Sequence, residues 1–322
     1  MSPTMERFSS ILVVIGGEPY DATMTRAVSL ALKNDASLTI MDVVAPISTS
    51  FFAAEAYLPQ HLEADAVAQR RTELMQIVSE YVSTGIEAAV VVRVGNAAIE
   101  IVSEVIDSGH DLVIKTANTQ TGLTHLLGSV TRALMRTCPC PVWAIKPSTV
   151  ASYHTILAAI DPLADDPEHI DLNDTIFELA NSLARNENAA LHLVSVWNIP
   201  MERTLRSRLG AQECDRLIHD AEIQVQQSLD AFLAKHSTGP DQDSPPIRVH
   251  LLRGTASEKI AEVATQSSAE LIVMGTVCRS GLAGLFVGNT AEHLLGSVTC
   301  GVLAIKPKGF VSPVRVHHTA AE

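Results

Sequence analysis

The sequence predicts an α/β fold of two tandem five-stranded parallel-sheet domains, Rossmann-like in their alternation, and three observations lead there. The chain repeats itself, its short apolar runs alternate with stretches of helical period, and those runs are apolar on both faces, as strands of a helix-covered parallel sheet must be. A length of 322 residues suits two domains of ordinary size.

Taken in chain order, Ile11-Leu12-Val13-Val14-Ile15 reads as a first buried strand, and Ile156-Leu157-Ala158-Ala159-Ile160 repeats it. Leu38-Thr39-Ile40-Met41 is echoed by Leu191-His192-Leu193-Val194, and Val92-Arg93-Val94-Gly95-Asn96 by Leu251-Leu252-Arg253-Gly254-Thr255. His110-Asp111-Leu112-Val113-Ile114 matches Ala269-Glu270-Leu271-Ile272-Val273. The run Pro141 to Pro147 then matches Gly301 to Pro307 in the same order. Between the runs the period turns helical, as at Ile99, Val102 and Ile106 and again at Ile260, Val263 and Ala264. The stretch from Phe51 to Tyr81 carries Leu62, Ala66, Leu74, Ile77 and Tyr81 at helical spacing, with its counterpart from Met201 to Lys235. Strand–helix alternation of this kind requires right-handed crossovers. The expected domains are residues 8–147 and 154–307, joined by a polar linker at Pro147 to Ser152, with 308–322 as a flexible tail. Gly239 to Pro246, rich in Pro, Asp and Ser, reads as a surface loop.

Composition narrows the function. With 47% apolar and 18% charged residues the chain has material for packed cores, which excludes wholesale disorder. Aromatics at 4%, with 23 Lys plus Arg against 36 Asp plus Glu, argue against a basic, ring-lined nucleic-acid surface and against anionic membranes. No apolar stretch reaches membrane-span length and Met1 to Ser10 lacks a secretory core, so a cytoplasmic location is expected. Five cysteines scattered over the chain fit a reducing compartment. Cys138-Pro139-Cys140 lacks the second Cys/His pair of a structural zinc site and reads as buried thiols; no metal is predicted there. The pair His317-His318 reads as part of a solvated tail.

In an open parallel sheet, ligands bind beyond the carboxyl ends of strands where the strand order reverses. Asp161 follows the first strand of the second half, and Met274-Gly275-Thr276-Val277-Cys278 follows the fourth, running on to Gly288-Asn289-Thr290 before the next helix. Glycines there allow backbone to approach phosphate, and Asn289 with Thr290 would open a helix whose dipole favours anions. Asn289 with Glu292 three positions on equally resembles a capping box, so ligand binding and simple capping both fit this spacing.

These residues resemble the universal stress protein family, whose nucleotide-binding members carry G-x2-G-x9-G-[ST] after the fourth strand and an Asp after the first. The resemblance spans both halves, and the tandem form is similar to the E type, whose members are linked to stress tolerance. It implies that Gly275 and Gly288 are motif glycines, that Cys278 stands where a further glycine belongs, and that Asn289, followed by Thr290, takes the Ser/Thr place. It further implies that Asp161 helps hold a nucleoside and that Val194 offers a main-chain contact to the base. ATP or AMP, with an accompanying Mg ion, is the implied ligand. The first half departs further: Gly16 replaces the Asp, Thr116 and Thr119 replace the early glycines, and only Gly128-Ser129 survives, with Ser129 expected to cap the helix of Val130, Ala133 and Leu134. Leu126 to Thr131 recurs letter for letter at Leu294 to Thr299, but strand order pairs Gly128 with Gly288.

The expectation is therefore a stress-response binding protein with no catalytic residue. No G-x-S-x-G, H-E-x-x-H or G-x4-G-K-[ST] occurs. Weak ATP hydrolysis is known of some relatives. The α-hydrolase loop Ser-Gly-Gly-x-Asp-Ser is matched by Ile15 to Asp21 only in two glycines. A carrier of an apolar or lipid-like ligand is the other alternative, with Phe51-Phe52-Ala53-Ala54 as pocket lining or core. The apolar runs Val142 to Ile145 and Val302 to Ile305 should cover each other's sheet edge in an intramolecular pseudo-dimer, with a homo-oligomer left open.

Overall fold

The computed structural model describes residues 8–16, 19–47, 58–82, 85–117, 128–146, 152–236, 246–276, 294 and 296–315. In chain order these form β1 (Ser10–Val14), α1 (Asp21–Asn34), β2 (Ser37–Val44), α2 (Leu58–Tyr81), β3 (Ala88–Val94), α3 (Ala97–Ser108), β4 (Leu112–Thr116), α4 (Ser129–Thr137) and β5 (Val142–Ile145). There follow β6 (Thr155–Ile160), α5 (Pro167–Glu187), β7 (Ala190–Trp197), α6 (Glu202–Leu209), α7 (Ala211–His236), β8 (Ile247–Arg253), α8 (Ala256–Gln266), β9 (Leu271–Gly275) and β10 (Gly301–Ile305). Five strands come from each half, as the repeats predict.

The chain divides into two compact units. The first holds the strands of the first half and also β10, in the order β3-β2-β1-β4-β5-β10. Its strands run parallel as far as β5, and β10 lies antiparallel to β5, with Val302 opposite Ala144, Leu303 opposite Trp143 and Ala304 opposite Val142. The two apolar runs thus cover one another's edge, leaving Trp143 and Leu303 fully buried. The second unit is the parallel array β9-β6-β7-β8. In each unit the strand order reverses beside its first strand, at β1–β4 and at β6–β9, which creates a crevice at the carboxyl ends.

Side chains of β1, β4, β5 and β10 are buried on both faces, and each such Ile, Leu or Val contributes about 1.5–3 kcal/mol. Helix ends follow local chemistry. Asn96 caps α3 by accepting from the amides of Ala98 and Ile99, and Gly109 ends it at a φ of 70°, which a side chain would disfavour. Asp166 caps α5 through the His169 amide, ahead of Pro167 in the first turn.

Three expectations need correction. The buried stripe of α3 is Ile101, Val102 and Val105, whereas Ile99 and Ile106 are exposed, because the helix turns its Ile101 side to the sheet. Ser129 is the first residue of α4 rather than its cap; Gly128 holds the cap position, and no side chain bonds the helix start. The long helix expected from Met201 is two helices, broken at Gly210, whose φ of 84° leaves the right-handed helical region.

Leu134 in α4 and Leu294 are both fully buried, and Gly296 lies within a helical turn. The second copy of Leu-Leu-Gly-Ser-Val-Thr is therefore no phosphate loop.

In the first unit, Gly109-His110-Asp111 works at the amino ends of the strands, away from the crevice. Asp111 accepts from the amides of Ser9 and Ser10 and from the Ser9 hydroxyl, and His110 Nδ1 lies 2.8 Å from Ser10 Oγ. Behind it the buried Glu104 accepts from Ser108 (2.7 Å) and pairs with Arg93 (2.5 Å). Hydrogen bonding to His110, then to Ser108 and Arg93, holds the Glu104 carboxyl down to about 2 against the opposing effect of burial. In the second unit Glu270 takes the part of Asp111, accepting from the amides of His154 and Thr155.

Candidate functional site

Of the residues expected to form the site, Asp161, Val194, Met274 and Gly275 belong to the second unit and are described; Cys278, Gly288, Asn289 and Thr290 lie outside the described residues. So do Thr119, His317, His318, the pair Asn289 and Glu292, and the segment Phe51 to Ala54. Register brings the first group together. Ala159 of β6 lies opposite Met274 on one side and Val194 on the other, so Asp161 and Gly275 emerge side by side at the carboxyl ends of β6 and β9. Val194 lies within the ladder, flanked by Ala159 and His250, with its side chain buried.

Asp161 is exposed at the mouth of the crevice, and its backbone is clamped by a residue that sequence reading missed. Asn173 of α5 accepts from the Asp161 amide (3.0 Å) and donates to the Asp161 carbonyl (2.7 Å). The Asp161 carboxylate accepts from the Leu163 amide (3.3 Å) and its carbonyl from the Ala164 amide (3.1 Å), which closes a turn and fixes the carboxylate. Nothing in the sequence marks it, since it is an asparagine inside α5. A second missed residue is Ser195, opposite Ile160, whose hydroxyl is buried without a hydrogen-bond partner.

Gly275 has a packing reason beside any ligand reason. A Cβ there would meet Leu172 Cδ2 at 2.8 Å and Ile176 Cδ1 at 3.5 Å, so the bare backbone lets α5 seat against β9. Deeper in the unit, His192 and His250 on neighbouring strands stack, with His192 Nδ1 3.0 Å from His250 Nε2. Burial, and then His250 and Arg248, push the His192 imidazole below its ordinary range; burial and then Arg248 do the same to His250.

The first unit's crevice is built differently. Gly16 stands where Asp161 does, and Lys115, opposite Val14 as Met274 is opposite Ala159, sends its ammonium beneath it. Lys115 is buried and donates to the Thr116 carbonyl at 3.3 Å; burial pushes its ammonium below the ordinary range and Asp42 opposes that. Asp42 is itself held by Arg70 at 2.6 Å, and Arg70 reaches on to the Ile15 carbonyl. Thr116 fills the place of Gly275 and shares a 2.6 Å hydrogen bond with Thr23. Among the described residues no group of three or more His, Cys, Asp and Glu is placed to hold a metal ion, and no helix is long and apolar enough to cross a membrane.

The family model of the universal stress proteins matches residues 7–146 and again 152–306. "Universal stress protein E" of Photorhabdus laumondii is 27% identical over 322 residues, covering 97% of this chain and 99% of that protein. The Escherichia coli K12 protein of the same name is 28% identical over 253 residues, 78% of each chain. Among solved structures, a functionally unknown protein from Pseudomonas aeruginosa PAO1 aligns with a TM-score of 0.68 at 25% identity, covering 93% of both chains. A universal stress protein from Archaeoglobus fulgidus shares the fold, with a TM-score of 0.63 at 16% identity over 92% of this chain and 98% of that one.

Proposed function

This chain belongs to the universal stress protein family, with two family domains in tandem, and from that premise we propose that it is a stress-response binding protein whose second half holds an adenine nucleotide or a similar anionic small molecule. The observation that carries the reading is the juxtaposition of Asp161 and Gly275 at the reversal of strand order, with Asp161 locked by Asn173. An exposed, backbone-fixed carboxylate accepts hydrogen bonds from the vicinal hydroxyls of a ribose, and the close seating of α5 on Gly275 holds the wall of the crevice beside it. The described residues therefore suit the nucleoside end of ATP or AMP. Gly288, Asn289 and Thr290 would receive its phosphates, with Cys278 narrowing their approach. No catalytic step is assigned.

Calorimetric titration of the full chain with ATP and with AMP tests this. Binding is expected in the parent, with at least tenfold loss in Asp161→Ala, a smaller loss in Asn173→Ala, and tighter binding in Cys278→Gly. Absence of nucleotide binding in both the parent and Cys278→Gly overturns the assignment.

A further inference from the structure

Cys138 and Cys140 lie outside the crevices, in the first unit, where α4 ends and β5 begins. Their sulfurs are 3.5 Å apart. Cys138 is wholly buried, and Cys140 keeps 8% exposure. Pro139 between them fixes one backbone torsion and limits the ways the two side chains can part. Lys306, from the end of β10, donates to the Met135 carbonyl at 2.5 Å and the Arg136 carbonyl at 3.3 Å, which parks a cation at the end of α4 where Cys138 follows.

We propose that Cys138 and Cys140 are a peroxide-oxidisable dithiol, a modification site that closes reversibly to an intramolecular disulfide. It is independent of the nucleotide reading. The Cys140 S–H donating to Cys138 Sγ, helped by Lys306, holds the Cys138 thiol below its ordinary range, while the same contact and burial hold Cys140 well above it. The pair thus orders itself, with Cys138 the readier to ionise and attack and Cys140 the one to resolve. The Cys138 thiolate attacks a hydroperoxide oxygen; the S–O bond forms, the O–O bond breaks, and hydroxide leaves and takes the Cys140 proton to become water. The Cys140 thiolate then attacks the sulfenic sulfur; the S–S bond forms, and the second hydroxide leaves and takes from solvent the proton that Cys138 released on ionising, to become water. Two thiols lose two electrons, and hydrogen peroxide becomes two waters. The sulfurs need approach only from 3.5 Å to the disulfide length of about 2.05 Å.

The repeat supplies an internal control. Cys300 sits before β10 as Cys140 sits before β5, but Val298 occupies the place of Cys138, and burial pushes the Cys300 thiol up to about 11. It should stay reduced.

The test treats the native full-length chain with hydrogen peroxide, blocks remaining thiols with maleimide after denaturation, and weighs the peptides. Oxidation of the exposed Met201 confirms that the dose was effective. The peptide with both cysteines is expected about 2 Da lighter than its reduced form, free of maleimide, and restored by dithiothreitol. Cys140→Ser should leave a sulfenic acid at Cys138 that dimedone traps, and Cys300→Ser should leave the mass loss unchanged. Maleimide on both cysteines once Met201 is oxidised, a disulfide to Cys300, or conversion straight to sulfonic acid overturns the proposal.

Discussion

The two crevices occupy equivalent places in duplicated units, yet they carry opposite charge. In the first, an ammonium from Lys115 lies buried beneath Gly16, and a Thr23–Thr116 hydrogen bond fills the seam between helix and strand. In the second, a carboxylate stands exposed on Asp161, Met274 replaces the lysine, and Ile176 packs towards Gly275 where the two threonines meet. The seam keeps a similar volume in both units while its polarity is exchanged. The two units thus differ by a compensated exchange across one helix–strand contact, with the charge at the crevice inverted as well.

The largest expected effect comes from transplanting half of the swap. Gly275→Thr places a Cβ 2.8 Å from Leu172 Cδ2 and should cost about 3 kcal/mol in urea unfolding, at the upper end for overpacking. Adding Ile176→Thr should return part of that by allowing the hydroxyl pair of the first unit. A double-mutant cycle with no coupling would break the comparison.

Acid should separate the units. In the second, His192 and His250 have lowered values, so the unfolded chain takes up protons first and stability falls as pH drops below about 6.5. In the first, Glu104 is held down to about 2 from 4.5, so its contribution is present above about pH 4.5 and is lost as pH falls towards 2. Glu104→Gln should cost about 2–3 kcal/mol at neutral pH and flatten the lower window, while His250→Gln flattens the upper one. Unfolding followed by fluorescence in Trp197→Phe and in Trp143→Phe, each keeping one tryptophan in one unit, reads them separately; one shared window would sink the distinction.

The smallest effect tests the charge inversion itself. Lys115→Met gives the first crevice the residue of the second and should stabilise it by about 1 kcal/mol at pH 7 by removing a buried charge. Because burial lowers the lysine, the parent gains stability as pH rises towards 10.5, so the advantage of the substitution should shrink over that range. A Tm difference that stays constant between pH 7 and 10 would contradict it.

Much of this architecture was legible from periodicity alone, since strands such as Ile11 to Val14 and Leu271 to Met274 are buried on both faces and leave no other reading. The face of α3 was not, because isoleucines at 99, 101 and 106 allow two adjacent stripes, and only the packing against the sheet selects one. Asp161 could be found from its place after a strand. Asn173 could not, because an asparagine inside a helix announces itself only when the carbonyl it clamps is in view. The pairing of β10 with β5 was expected from the resemblance, whereas by composition alone an apolar run looks the same whichever edge it covers.

That last strand has a consequence for biosynthesis. The ribosome delivers β5 long before β10, and some 160 residues at about 5–20 per second leave the Val142 to Ile145 edge waiting roughly 8–30 s for its cover. During that interval the nascent chain exposes a pairing-competent apolar border, so truncated products ending before Gly301 should be natural clients of holdase chaperones.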